Sequence, residues 1–115
     1  MILEKDMVLY GDGDISHART LQKKFICFMA MARRKHAWPE EADGIYQALG
    51  VLTGEVEELE KAIERNHSDE HIVSEILDVI TVATRMLNGE HIMDLDKRAV
   101  WKEAVSNVFP TQPRD

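Results

Sequence analysis

Four acidic side chains are spaced in a way that suits metal chemistry. Glu55 and Glu58 are three residues apart, and Glu75 and Asp78 repeat that spacing further along the chain. On a helix, residues three apart project from the same side. Four carboxylates held together repel one another unless a cation lies between them, and Mg²⁺ or Mn²⁺ prefers carboxylate and water oxygens. The spacing predicts a divalent-metal site if the two pairs lie on neighbouring helices.

Glycine, proline and capping residues divide the 115-residue chain into four helical segments. We predict helices from Asp14 or Ser16 to about His36, Gly44 to Arg65, behind Ser68 to about Asn88, and Met93 to Val108. No strand-like alternation or internal repeat interrupts this pattern. The prediction is an all-α, four-helix bundle-like fold in one domain, residues 1–115. Residues 1–13 are unassigned, and residues 109–115 are predicted to be a frayed tail.

The second segment has an apolar stripe with acids beside it. At about 100° per residue the stripe contains Ile45, Leu49, Leu52, Val56, Leu59 and Ile63. Solvent is expected on the opposite side, where Glu57, Lys61 and Glu64 lie. Glu55 and Glu58 belong to neither side, because they share a flank with Val51 and Ala62.

The third segment is apolar over more than half of its circumference, which predicts burial against several neighbours. Its apolar residues are Ile72, Ile76, Val79, Ile80, Val82, Ala83, Met86 and Leu87. Glu75 falls inside this arc and Asp78 at its edge, where a lone carboxylate costs several kcal/mol or takes up a proton. A short connection makes the two segments antiparallel neighbours, so the acid pairs converge. The pattern alone leaves two interpretations open, a metal site and ordinary solvated glutamates.

The two acidic motifs resemble those of a known superfamily. "GEVEELEKAI" followed by "SEILDVITVA" resembles the ExxE…ExxD signature of the all-α nucleoside-triphosphate pyrophosphohydrolases. That superfamily includes MazG, the dimeric dUTPases and phosphoribosyl-ATP pyrophosphohydrolase. The resemblance covers roughly residues 20–107 in helix order and is greatest for the MazG-like branch. Gly54 departs from it, because many relatives have an acid there.

The resemblance implies a metal-dependent reaction. Glu55, Glu58, Glu75 and Asp78 would bind Mg²⁺, with Mn²⁺ as a possible substitute, and Glu55 and Glu58 would be catalytic. Glu55 is preferred as the acceptor of the attacking water's proton. The reaction is cleavage of a (d)NTP to a (d)NMP and pyrophosphate, in nucleotide-pool housekeeping. Relatives form dimers or dimer-based tetramers, so a homo-oligomer is expected.

Three further residues are assigned to the substrate by the same resemblance. Trp38 lies near the position of an aromatic that packs on the base, and Lys102 resembles a phosphate-contacting lysine. The third residue is Asn107, which would replace an asparagine of the relatives. It lies one residue beyond the equivalent position, where this chain has Ser106. The alternatives are a core tryptophan and an ordinary surface lysine.

Two rival functions stay open. One is a non-catalytic helical module that binds a partner protein. The other, within the enzyme class, is hydrolysis of phosphoribosyl-ATP, which ranks lower because Trp38 suits base stacking.

Composition bears on the partners of the protein, its cysteine chemistry and its cellular location. The net charge of −7 argues against a nucleic-acid partner. Cys27 is the single cysteine and is predicted to be an inert core thiol. The sequence shows neither a secretory signal nor a membrane span, so a soluble cytoplasmic protein without a membrane partner is expected.

The histidines suggest no site of their own. "HSDEH", residues 67–71, matches a zinc-peptidase pattern that needs both histidines on one helical face. Ser68 is predicted to be an N-cap, which leaves His67 outside the helix. His17, His36 and His91 have no identifiable partner and are expected to face solvent.

Overall fold

The computed structural model describes residues 15–109, and its regular structure there is entirely α-helical. The helices are α1 (Ile15–Lys35), α2 (Ile45–Glu64), α3 (Asp69–Leu87) and α4 (Leu95–Val108). The all-α prediction is confirmed for these residues. The predictions for residues 1–13 and for the tail after Phe109 lie outside the described part. None of the described helices is both long and apolar enough to cross a membrane.

The chain divides between Ala37 and Trp38 into two compact units. The described part of the first unit is essentially α1, where the rings of Phe25 and Phe28 stack with centroids 6.5 Å apart. Cys27 is exposed, so the prediction of a core thiol is wrong. The second unit contains α2, α3 and α4, and all the predicted site residues belong to it.

Side-chain caps set the starts of α3 and α4. Ser68 Oγ accepts a hydrogen bond from His71 N at 3.2 Å, which confirms the predicted N-cap. Asp94 Oδ1 accepts from the backbone amides of Asp96 and Lys97. α4 therefore begins at Leu95 and not at Met93, because the Asp94 carboxylate satisfies the first free amides of the helix.

Residues with positive φ end α2 and α3. Asn66 (φ 54°) follows α2, and His67 N then donates to Ala62 O at 3.0 Å. Gly89 (φ 77°) follows α3, and Glu90 N donates to Arg85 O at 3.1 Å. A side chain at Gly89 would also place its Cβ 2.9 Å from Arg98 Cγ, so glycine suits both the backbone and the packing here.

Small residues line the face of α2 that packs against α3. Ala48 and Ala62 are 0% and 1% exposed. Val51 of α2 and Val82 and Met86 of α3 pack against the buried cluster that contains Ala48 and Trp38. Alanine at these positions allows the two helix backbones to approach closely. In the sequence pattern, this side of α2 was the flank next to the apolar stripe. In the structure it faces α3, and we call it the inner face of α2.

The apolar stripes of α2 and α3 are largely open in the single chain. Their large side chains are between 40% and 54% exposed: Ile45, Leu49, Val56 and Ile63 on α2, and Val73, Ile76, Ile80 and Leu87 on α3. We call these eight residues the open apolar face. The predicted burial of the α3 arc against several neighbours is not reached within the second unit alone.

An aromatic cluster packs the loops against the ends of α2 and α3. The ring of His91 lies 4.9 Å from that of Trp101, nearly perpendicular to it, and 6.4 Å from that of Trp38. Trp38 Nε1 donates to Ala42 O and Trp101 Nε1 to Met86 O, each at 2.9 Å. His91 is 1% exposed, so the expectation that it faces solvent is wrong. Two indoles cover it instead.

The buried imidazole of His91 makes stability depend on pH. Burial lowers the pKa of His91, the nearby Arg98 lowers it further, and Asp43 opposes them. The unfolded chain, with an ordinary histidine pKa of about 6.5, then takes up a proton before the folded chain does. The free energy of unfolding should therefore fall as the pH drops below about 6.5. In His91→Gln, urea titrations at pH 7.5 and 5.5 should show a smaller loss than in wild type, whereas the exposed control His17→Gln should match wild type. An unchanged loss in His91→Gln would contradict this account.

Candidate metal centre

Three carboxylates converge between α2 and α3. Glu55, Glu75 and Asp78 each offer an oxygen atom, and these atoms all lie within 4.8 Å of one another. Glu55 lies on the inner face of α2, on the same side as Ala48 and Ala62, and the other two acids lie on α3. All three residues are partly buried. The two halves of the predicted acidic constellation are thus adjacent in the structure.

Glu58 is placed differently from the other three acids. It is exposed and does not belong to the group of converging oxygens. Its charge still acts on Glu55, because the two are neighbours on one helix. Glu58 therefore lies at the rim of the site and not inside it.

The electrostatics of the site oppose ionisation of Glu55. Burial raises the pKa of this carboxyl group, and the charges of Glu58, Asp78 and Glu75 raise it further, in that order. The physical cause is that negative charge is both partly desolvated and close to more negative charge. A bound cation would reverse both effects, because it replaces lost hydration and has the opposite sign.

One oxygen of Glu75 lacks a partner. The Glu75 side chain is 14% exposed, and its Oε1 lies 3.4 Å from His71 Nε2. Its Oε2 is buried and has no hydrogen-bond partner among the described residues. A buried carboxylate oxygen is costly to leave unpaired, and hard divalent cations prefer such oxygens as ligands. The unpartnered oxygen and the all-carboxylate donor set therefore fit Mg²⁺ or Mn²⁺.

Comparisons with protein-family models, curated proteins and solved structures gave no significant match. Membership of the MazG-like family therefore stays a prediction. The candidate site rests on the positions of the chain's own side chains.

The contact between His71 and Glu75 was not predicted. Their separation of four residues on one helix was a visible signal, since such residues are neighbours. His67 lies outside α3, as predicted, yet its ring packs edge-on against that of His71 with centroids 4.4 Å apart. A histidine pair therefore adjoins the carboxylates on the side of the α2–α3 connection.

The three predicted substrate residues are not gathered at the carboxylates by any described contact. Trp38 is buried in the aromatic cluster, with the Arg85 guanidinium carbon 5.5 Å from the centre of its ring. Arg85 Nε in turn donates to Glu90 Oε1 at 2.9 Å. Lys102 and Asn107 are exposed on α4. The position of Trp38 matches the alternative of a core tryptophan, and its stacking on a base stays a prediction.

Neutralising Glu55 tests whether the site is strained without a cation. Because its folded pKa is raised, ionised Glu55 destabilises the fold above its unfolded pKa, and the penalty fades as the pH falls towards that value. In EDTA at pH 7.5, Glu55→Gln should therefore unfold at a higher temperature than wild type. With Mg²⁺ or Mn²⁺ the order should reverse, since a cation at a hundred times its Kd adds about 2.7 kcal/mol to wild type.

The matched control is Glu57→Gln, which removes an exposed charge from the opposite side of α2. It should change neither the melting temperature in EDTA nor the response to metal. Equal metal responses in wild type and Glu55→Gln would contradict binding at this site.

Proposed function

We propose that this protein is an Mg²⁺-dependent nucleotide pyrophosphohydrolase that cleaves a (d)NTP to a (d)NMP and pyrophosphate. The observation that carries the proposal is the convergence of Glu55, Glu75 and Asp78 beside a buried, unpartnered oxygen of Glu75. The resemblance of the ExxE…ExxD motifs supports the same assignment. MazG-like membership, a housekeeping role and a cytoplasmic location are parts of the proposal.

The proposed role of each carboxylate follows from its position. Glu55, Glu75 and Asp78 would hold the cation, and Mg²⁺ bound there would neutralise phosphate charge and lower the pKa of a bound water. Glu55, one of the converging carboxylates, is also the preferred acceptor of the attacking water's proton. Glu58 is exposed next to Glu55 on the same helix, and its predicted part in metal binding and catalysis stays part of the proposal.

The predicted phosphate-binding residues are accessible, whereas the predicted base-stacking tryptophan is buried. Lys102 and Asn107 are exposed and available to a phosphate, as the resemblance implies. Trp38 would have to leave its packing with Arg85 and His91 to stack on a base. Its burial removes the reason for ranking phosphoribosyl-ATP below the ordinary triphosphates, so both belong in the substrate panel.

We also infer a homo-oligomer that pairs through the open apolar face. We count about 100° of rotation around the helix axis per residue, starting from Glu55 on α2 and from Glu75 on α3. On each helix the residues of the open apolar face then lie at roughly 80–160° from the acid, in the same rotational sense. On antiparallel helices the same sense means the same side of the pair. Two antiparallel rows of large apolar side chains can meet their own copies across a twofold axis.

The reaction is tested by pyrophosphate release from eight common NTPs and dNTPs and from phosphoribosyl-ATP, with Mg²⁺ and with EDTA. Release should require the metal. Glu75→Gln should lower it about a hundredfold or more, since even residues that only support a metal ligand contribute 10–100-fold. In ¹⁸O-labelled water the label should enter the nucleoside monophosphate, because attack is at the α-phosphorus.

The control is again Glu57→Gln, which should keep wild-type activity. Label in pyrophosphate would contradict the assigned site of attack. Absence of metal-dependent release from a folded protein, together with no metal response in melting, would favour the rival, a non-catalytic partner-binding module.

The oligomer is tested by placing charge on the open apolar face. Val56→Lys with Ile80→Lys should convert wild-type oligomer to monomer in light scattering coupled to size exclusion, because two lysines per chain would be desolvated at the interface. Glu57→Lys, on the solvent side of α2, should leave the mass unchanged. A monomeric wild type at high concentration would refute the pairing.

A further inference from the structure

His71 approaches the carboxylate site from the start of α3. Its Nε2 lies 3.4 Å from Glu75 Oε1. The other oxygen of the same carboxylate, Oε2, is the one without a hydrogen-bond partner among the described residues. The distance is a few tenths of an ångström longer than a typical N–H···O hydrogen bond, so the contact is an electrostatic one that a small shift would shorten. The two oxygens of Glu75 therefore have different surroundings.

Two contacts hold His71 in position, one at its backbone and one at its ring. Ser68 Oγ accepts from the backbone amide of His71 and holds the first turn of α3 in place. The ring of His67 packs edge-on against the imidazole at an interplanar angle of 81°. His67 is held in turn at the end of α2, where its backbone amide donates to Ala62 O at 3.0 Å. A continuous series of contacts thus runs from the α2–α3 connection to Glu75.

We propose that His71 is a positioning residue for the metal site, which donates from Nε2 to Glu75 Oε1 and so presents Oε2 as the metal ligand. The proposal rests on the proposed function, because it assumes that the converging carboxylates bind a divalent cation. Without the imidazole, the Glu75 side chain is free to rotate about its terminal bond and exchange its two oxygens. The cation would then have to order this carboxylate at the moment of binding, and its affinity would fall.

His71 acts on the ligand and not on the metal. Its ring nitrogen is within reach of Oε1, and no nitrogen ligand belongs to the group of converging atoms from Glu55, Glu75 and Asp78. Among residues 15–109 the site therefore offers only oxygen ligands, which suit Mg²⁺ and Mn²⁺ and not the metals that prefer imidazole.

The test uses the full chain stripped of metal, with Mn²⁺ as the probe and free Mn²⁺ followed by electron paramagnetic resonance. His71→Leu removes the donor and should raise the Kd for Mn²⁺ about tenfold or more. His71→Gln keeps an N–H donor at a similar reach and should stay within about threefold of wild type. His17→Leu, which removes an exposed histidine from α1, is the matched control. Circular dichroism in EDTA confirms that each variant is folded.

A spectroscopic readout separates positioning from ligation. Electron spin echo measurements on bound Mn²⁺ should show no directly coordinated nitrogen in wild type. An unchanged Kd in His71→Leu would overturn the proposal, as would the coupling of a coordinated nitrogen. No Mn²⁺ binding by wild type would remove the site and with it both proposals. Tight Mn²⁺ binding without hydrolysis of any nucleotide would refute the hydrolase while leaving the role of His71 intact.

Discussion

Repulsion among the carboxylates between α2 and α3 is the constraint on which the site depends. Glu55 occupies the inner face of α2, on the side of Ala48 and Ala62, where close helix packing usually requires apolar side chains. Burial and the neighbouring negative charges raise the pKa of Glu55, and the buried Oε2 of Glu75 has no hydrogen-bond partner among the described residues. A helix pair that keeps this arrangement would gain stability if a cation occupied the space between the acids.

The aromatic cluster supplies the rigidity that this arrangement needs. His91 lies between Trp38 and Trp101, and its backbone carbonyl accepts from Gly44 N at 2.7 Å just before α2 begins. Trp101 in turn donates to Met86 O near the end of α3. The N-terminal end of α2 and the C-terminal end of α3 are therefore held together by loop and α4 residues, while the carboxylates lie further along the same pair. Stability and the proposed chemistry are thus assigned to different parts of one helix pair.

Local signals in the sequence predicted the helices, the Ser68 cap and the approach of Glu55 to Glu75 and Asp78, but not the outlying position of Glu58. Hydrophobic periodicity could not identify the inner face of α2, because it favours the wide row of large residues from Ile45 to Ile63. The close packing uses the smaller Ala48 and Ala62 instead. His91 escaped prediction for a different reason: it lies in a loop, where no periodicity indicates which side is buried. The start of α4 at Leu95 depended on a single carboxylate, Asp94, whose capping role competes with other possible starts nearby.

The connection between α2 and α3 has a consequence for folding. Only residues 65–68 separate the two helices, so all the acids of the candidate site fall within residues 55–78. Contacts of such short sequence separation form with little loss of loop entropy and are expected early in folding. The carboxylates are therefore expected to come together before the distant contact of Trp38 with His91 is made. The candidate site and the helix pair that forms it are thus encoded in one continuous segment.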